Sequence, residues 1–326
     1  MRRAVPRASR LLTGVLLVLA ASGACAQTFP SKPVRFVVGY APGGISDIAA
    51  RIVGAKLTEM WGQQVIVENR PGGNGFIGAM AVVKAAPDGT TMLIHSVGDY
   101  AVAPVLFKDI PFSVERDLVP VTTLSDTPCV IAVHADAPYK TMADLLADAK
   151  TRPGKIPYAT PGTGTLNQVI MEWIALATST SYQHIPYKGG APAGAAVAAG
   201  DVPVGVLAVS SAVPHLKSGR QRVLAITTSQ RSAFNPEWPT LIESGVPDII
   251  SSNWTALMAP KGTPQAVIDK VHADVHKVLA LPDVQQRFAG GSATVIPSTP
   301  AELAARITRE TAAYKPIIEK ANIQAE

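Results

Sequence analysis

The sequence predicts an α/β protein built as two lobes joined by two crossing strands. Three observations carry that expectation. Short apolar runs alternate with helix-length patterns from end to end, the signature of α/β units on a largely parallel sheet. The 326 residues exceed what one ordinary hydrophobic core organises, so two domains are expected. Its 27 prolines and 26 glycines punctuate the pattern without gathering into a single linker. Two beads on a string need such a linker. A chain that leaves the first lobe, builds the second and returns does not. The crossings are placed near 125–129 and 224–228, which assigns 27–127 and 227–326 to the first lobe and 128–226 to the second.

Taken in order, strands are expected over 34–38, 65–67, 92–94, 119–123, 130–133, 204–209, 223–227 and 256–258. Helices are expected over 46–61, 76–86, 142–150, 165–178, 192–198, 264–280 and 301–321. Ser46 or Asp47 is placed to cap the first helix. Thr263 before Pro264, and Thr299 before Pro300, each pair a cap residue with a proline at the first helical position.

Residues 1–26 read as an export signal. Arg2, Arg3, Arg7 and Arg10 form the basic start, an apolar core runs from Leu11 to Ala21, and Ala24-Cys25-Ala26 supplies a small-x-small site with cleavage after Ala26. The apolar run falls short of the ~20 residues a spanning helix needs. Acylation of Cys25 is the alternative, disfavoured by Ser22 where a bulky aliphatic residue belongs. A periplasmic protein is therefore expected. The leader also accounts for most of the basicity. The whole chain has 29 Lys+Arg against 24 Asp+Glu, and four of those arginines lie in the leader, which has no acid. What remains is nearly neutral and shows no basic stripe interleaved with aromatics, so nucleic acid is not an expected partner. Cys129 is the only other cysteine, which excludes a disulfide within the processed chain and a Cys-rich metal site. Its setting, Cys129-Val130-Ile131-Ala132-Val133, reads as a buried core thiol.

Two glycine-bearing turns, each opening a helix, look like the jaws of an anion clamp. The first is Gly39-Tyr40-Ala41-Pro42-Gly43-Gly44-Ile45-Ser46-Asp47 after the apolar run at 34–38. The second is Pro161-Gly162-Thr163-Gly164-Thr165-Leu166-Asn167 after a similar short strand. A helix start offers unpaired N–H groups and the positive end of a dipole, so it holds an anion without a cationic side chain. An ordinary strand-to-helix turn is the plain alternative for the first, and N-capping by Thr163 or Thr165 for the second. A third loop, Pro186-Tyr187-Lys188-Gly189-Gly190, opens another short helix and could complete the second wall.

Other motifs carry less. Gly73-Asn74-Gly75-Phe76-Ile77-Gly78 matches G-x-G-x-x-G, but Asn69-Arg70-Pro71-Gly72 separates it from the preceding strand, and a dinucleotide site needs that strand at once. No Gly-Lys-Ser/Thr follows the first jaw, which excludes a phosphate-binding P-loop. His272 and His276 share a helix face, yet Ala273 stands where a zincin has glutamate and no third ligand is evident, so a polar flank is expected. Arg70 is a candidate ligand cation, read in preference as a solvated loop charge or a partner of Glu68, and Trp254 is read as a ligand platform or a core plug.

Several landmarks then occur in order: Phe29-Pro30-Ser31-Lys32-Pro33-Val34-Arg35, Pro42-Gly43-Gly44 with Asp47, Val67-Glu68-Asn69-Arg70-Pro71-Gly72 and Ala85-Ala86-Pro87-Asp88-Gly89. Pro186-Tyr187-Lys188-Gly189, Pro260-Lys261-Gly262-Thr263-Pro264 and Ala280-Leu281-Pro282-Asp283-Val284 continue them. With these the chain resembles the Bug-type extracytoplasmic solute-binding proteins of tripartite tricarboxylate transporters, across the processed chain. The resemblance implies a type II periplasmic binding fold, a two-lobed Venus flytrap with the ligand between its lobes. It implies a monomer with no enzymatic activity and no cofactor, which delivers a small carboxylate to a permease of one large and one small membrane subunit. The turn matching Ala41, Pro42, Gly43 and Gly44 then holds one carboxylate, and the loop from Gly162 to Asn167 holds the other end.

The ligand-binding set this implies is Tyr40, Ala41, Pro42, Gly43, Gly44, Asp47, Ser96, Gly162, Thr163, Gly164, Thr165, Asn167, Lys188, Gly189, Leu207 and Ala208. No catalytic or metal-binding residue is expected. Two departures from the family pattern bear on the ligand. Thr165-Leu166-Asn167-Gln168 stands where a Thr-Ser-Thr-His-like run is common, and Leu207 and Ala208 stand where an aspartate is common. Losing that carboxylate removes a counter-charge for a ligand ammonium. The expectation is a non-amino mono- or dicarboxylate with an aliphatic or aromatic body. A secreted hydrolase with an unrecognised His/Asp/Ser set, or a sensory subunit that presents its ligand to a receptor, are the alternatives.

Overall fold

The computed structural model describes residues 29–232, 234–246 and 249–323. The expectations for the leader, including cleavage after Ala26 and the state of Cys25, lie outside the described residues. Among the described residues ten strands form one sheet in two halves joined by a common strand. The first half runs β2 (Val65–Asn69), β1 (Val34–Val38), β3 (Thr91–Ser96), β9 (Ser252–Pro260) and the first part of β4 (Leu118–His134). β1 lies parallel to β2 and β3, whereas β9 is antiparallel to β3 and β4. Four of the five side chains of β1 are buried, on both faces, as a central parallel strand requires. The second half continues from β4 through β7 (Val204–Ala208), β5 (Pro157–Thr160) and β6 (Gln183–Pro186), with β8 (Gln221–Ile226) also on β4. β10 (Thr294–Val295) pairs with the middle of β4.

β4 is one 17-residue strand where the sequence reading expects two. From Leu118 to Pro128 it pairs with β9, and from Cys129 onward with β7 and β8. The polar run Ser125-Asp126-Thr127-Pro128 reads as a break because proline gives up a ladder N–H. Here it falls where the strand changes partners, so the lost donor is tolerated. Thr227, at the end of β8, stitches the returning chain to this point. Its Oγ1 accepts from the Cys129 amide at 3.0 Å and donates to the Ser251 carbonyl at 2.7 Å.

The helices are α1 (Ile45–Trp61), α2 (Phe76–Val83), the short α3 (Ala103–Leu106) and α4 (Val114–Asp117), and α5 (Met142–Thr151). They continue with α6 (Leu166–Thr178), α7 (Gly190–Ala199), α8 (Val209–Lys217), α9 (Gln265–Leu279), α10 (Pro282–Ala289) and α11 (Pro300–Lys320). α3, α4, α8 and α10 are absent from the sequence reading, as are β6 and β10. α8 starts directly from β7 with no turn and carries Pro214 inside, so its first residues read as strand. Neither Ser46 nor Asp47 caps α1; Gly44 holds that position, without a side-chain bond. Thr263 is not a cap either, since Pro264 takes the place and the Thr263 hydroxyl donates to the Pro260 carbonyl. Thr299 does cap α11, in a reciprocal pair with Glu302.

Two expected roles resolve into core packing. Cys129 is fully buried, and burial pushes its thiol up. Trp254 is fully buried too, stacked on Tyr100 at 6.0 Å with Arg306 4.9 Å above its ring, and its Nε1 donates to Glu310 at 2.7 Å. Arg306 also reaches Asp126 of β4 at 3.1 Å, and α11 packs on both β4 and α6. Among the described residues no helix is long and apolar enough to cross a membrane.

Candidate functional site

Four helices, one from the first half of the sheet and three from the second, aim their N-termini at one small cavity. α1 brings Gly44, Ile45, Ser46 and Asp47; α6 brings Thr165 and Asn167; α7 brings Gly190; α8 brings Ala208 and Ser211. Tyr40, Ala41, Ser96, Pro161 and Asn253 complete a wall around about 30 Å³. None of these four helices has a side-chain bond at its cap: Gly44, Gly189 and Ala208 lack a suitable group, and Thr165 turns its hydroxyl back to the Gly162 carbonyl at 2.8 Å. α5 and α11, away from the cavity, carry full capping boxes. α9 and α10 also start uncapped, so the missing caps alone are not distinctive; their convergence is. First-turn amides with no internal acceptor are left for an anion or water. No lysine or arginine lines the cavity.

The first jaw is held from behind by charged groups already matched. Gly43 has φ +86°, a left-handed conformation that glycine adopts at little cost, and its amide donates to Asp47 Oδ2 at 2.9 Å. Arg51 pairs with the same carboxylate at 2.9 Å and donates to Asn69 at 3.0 Å. Burial pushes the Asp47 carboxyl up, but the Arg51 and Gly43 hydrogen bonds outweigh it and hold the group below the usual carboxylate range. Asp47 thus shapes the turn with its charge spent on Arg51. Asp47→Ala should strand the Gly43 amide and weaken ligand affinity about tenfold, read by calorimetry. Unchanged affinity would show that the turn holds its shape without the carboxylate.

Below the jaw lies a buried network. Gly39 donates to His95 Nε2 at 2.9 Å, Tyr40 Oη donates to Asp99 Oδ1 at 2.7 Å, and the Ser96 amide and hydroxyl donate to Asp99 Oδ2. Burial raises the Asp99 carboxyl, yet His95, Tyr40 and Ser96 together bring it below its ordinary value. Burial and the Asp99 charge push the Tyr40 phenol well up, so it stays a donor. His95, Ser96 and Asp99 stand together here as a hydrolase would need, but the geometry does not suit one. His95 Nε2 is occupied by a backbone donor, and Ser96 bonds the aspartate, leaving no base for the hydroxyl.

The second jaw is less open than its glycines imply. The Gly162 amide points to Thr160 Oγ1 at 3.3 Å, and the Gly164 amide donates to Gln168 Oε1 at 2.8 Å. Thr160 Oγ1 also lies 2.6 Å from His184 Nε2. Burial pushes His184 down to about 4. A depressed imidazole favours the neutral form, so its contribution is full above the unfolded value of about 6.5 and is lost as pH falls toward about 4. Denaturant unfolding should therefore show a loss of about 2 kcal/mol at most between pH 7 and pH 5, which His184→Gln largely removes.

The two jaws touch. The Ala41 amide donates to the Lys188 carbonyl at 3.0 Å, and Asn253 Nδ2 of β9 donates to Asn167 Oδ1 of α6 at 3.1 Å. Of the expected set, Tyr40, Ala41, Gly44, Asp47, Ser96, Thr165, Asn167 and Ala208 lie on the cavity wall. Pro42, Gly43, Gly162, Thr163, Gly164, Lys188, Gly189 and Leu207 lie off it. Gly189, with φ +134°, starts α7 against Ala41, and Leu207 is buried in β7. Ile45, Ser46, Pro161, Gly190, Ser211 and Asn253 line the wall without having been expected. Ser46 and Gly190 were legible as first-turn residues; Ser211 and Asn253 were not, because α8 went unread and β9 shows no motif. Arg70 pairs with Glu68 at 2.7 Å. The His272 and His276 rings, 4.0 Å apart, both reach the Ser298 carbonyl.

A lobed α/β sheet with a shared strand and a cleft of helix N-termini defines a two-lobed solute-binding protein of the periplasmic type. A family profile described as "Tripartite tricarboxylate transporter family receptor" matches residues 49–323. Protein BugT of Bordetella pertussis is 35% identical over 297 residues, 90% of this chain and 91% of that protein. Among solved structures, R. palustris Rpa4515 with adipate has a TM-score of 0.88 at 28% identity, covering 91% of this chain and 99% of that one. MatC from Rhodopseudomonas palustris with bound malate has a TM-score of 0.85 at 28% identity, covering 89% and 100%. The chain belongs to the tripartite tricarboxylate transporter receptor family, whose members include the Bug proteins. That family comprises periplasmic solute-binding proteins and not enzymes.

Proposed function

We propose that this protein captures a small non-amino carboxylate between its lobes in the periplasm and hands it to a tripartite transporter, through one large and one small permease subunit. The convergence of four uncapped helix starts on a cavity without lysine or arginine carries this reading. The adipate and malate named with Rpa4515 and MatC agree with it. Asp47 is the one acid on the wall, and Arg51 already neutralises it, so a ligand ammonium finds no spare counter-charge. A cavity of this size seats on the order of one or two waters. Contacts to both jaws favour closure over the ligand.

The lobes are taken as 27–127 with 227–326, and 128–226, in a monomer released from its leader after Ala26. The binding set is the first-turn amides around Gly44 and Thr165, with Tyr40, Ser96, Asn167 and Ala208 beside them. The test is native mass spectrometry of freshly purified protein for a co-purifying acid, followed by calorimetry. Non-amino acids should bind and aspartate and glutamate should not. Tight binding of aspartate or glutamate alone would refute the non-amino assignment, and turnover of the bound acid would refute the transport role.

A further inference from the structure

Three buried polar atoms of wall residues have no hydrogen-bond partner among the described residues: Asp47 Oδ1, Ser211 Oγ and Asn253 Oδ1. Asp47 Oδ1 lies in its ion pair with Arg51 at 2.9 Å, which leaves Ser211 Oγ and Asn253 Oδ1. Both residues are more than nine-tenths buried, at 4% exposure each. A serine hydroxyl can rotate to serve either as donor or as acceptor. The asparagine oxygen has no such freedom, because its orientation is dictated from two residues away. The Val206 carbonyl can only accept, so the Asn167 side chain presents Nδ2 to it, at 3.0 Å. Asn167 must then present Oδ1 to Asn253, which answers with Nδ2 at 3.1 Å. Asn253 Oδ1 is what remains, an obligate acceptor on the wall that carries no charge and no partner.

We infer that Asn253 is the specificity-determining residue of this site and that it selects a carboxylate bearing a hydroxyl, a hydroxy acid, over the same acid without one. This rests on the carboxylate reading above and narrows it. The helix amides and Ser211 satisfy carboxylate oxygens, and the ligand hydroxyl donates to Asn253 Oδ1. A deoxy acid leaves that acceptor buried and unpaired, which costs it affinity that the hydroxy acid keeps. An amino acid also offers a donor, but its full positive charge meets a neutral amide and an aspartate already paired with Arg51. Asn253 belongs to β9 and Asn167 to α6, so the orienting bond spans the cleft and the hydroxyl is read once the jaws meet.

The test compares three series that differ only in H, OH or NH3+ at one carbon: succinate, malate and aspartate; propionate, lactate and alanine; phenylacetate, mandelate and phenylglycine. Calorimetry on the full processed protein should show, in at least one series, the hydroxy member binding tenfold or more tighter than the deoxy member, with the amino member weakest. Asn253→Ala, checked for an intact fold by circular dichroism, should bring the hydroxy-to-deoxy ratio in that series to about one. Deoxy acids that bind as tightly as their hydroxy partners in every series overturn this inference and leave the carboxylate reading standing. An amino member that binds best overturns the choice of hydroxyl. Failure of all nine acids to bind overturns both, since carboxylate capture is common to them.

Discussion

Gly98→Val should weaken ligand capture roughly 10- to 100-fold while leaving the thermal midpoint of the ligand-free protein nearly unchanged. Gly98 opens the π-helical turn Gly98–Val102 behind β3, and it faces the other lobe. A Cβ there would stand 3.1 Å from the Leu166 amide nitrogen and 3.1 Å from Thr165 Cα, the first turn of α6. Those are backbone atoms and cannot swing aside. A valine adds two methyl groups to that contact, and overpacking of this kind costs about 1–3 kcal/mol, which falls on the closed state alone. Because the backbone at Gly98 is not in the left-handed region, the side chain itself imposes no strain within the first lobe. Calorimetry with the acid found by mass spectrometry reads the first quantity and a thermal melt the second. Wild-type affinity in the variant would mean that the lobes do not approach at Gly98 when ligand is held.

Trp254→Ala should lower stability by about 3–5 kcal/mol, enough to shift the thermal midpoint by on the order of 10 °C. The indole is the largest fully buried side chain, and its loss opens a cavity beneath Tyr100. It also deprives Arg306 of the ring it covers and Glu310 of its indole donor. Arg306 would keep Asp126 and Glu310, so the charges stay matched and the loss is mainly one of packing. A drop of less than about 1 kcal/mol would require the surrounding helices to collapse into the space.

The sequence was most informative where local patterning and tertiary role agree. β1, α1, α6 and the cap at Thr299 follow from apolar periodicity and cap chemistry, and the first jaw follows from glycines between a strand and a helix. It was misleading where a tertiary event overrides a local signal. Pro128 reads as a strand end but marks a change of partners within β4, and Val209 reads as strand but starts α8. The glycines of the second jaw were legible as a turn; that Gln168 and Thr160 would occupy their amides was not, since those bonds depend on side-chain placement. Asn253 carries no motif at all. Its importance comes from a chain of amides that begins at a carbonyl in β7, some distance away in sequence.

The undivided course of β4 has a consequence for how the molecule is made. One half of the sheet uses this strand up to Pro128 and the other uses it from Cys129, so unbroken backbone ladders join the two halves. A gene fragment ending before Cys129 lacks β9, and one starting there holds β9 without β3 or the first part of β4, so each exposes a row of unpaired amides and carbonyls. Such fragments should be insoluble when produced singly, and the intact protein should melt in a single calorimetric step. Cleft closure should then bend β4 together with the returning chain stitched to it at Thr227, and not swing two separately assembled doors.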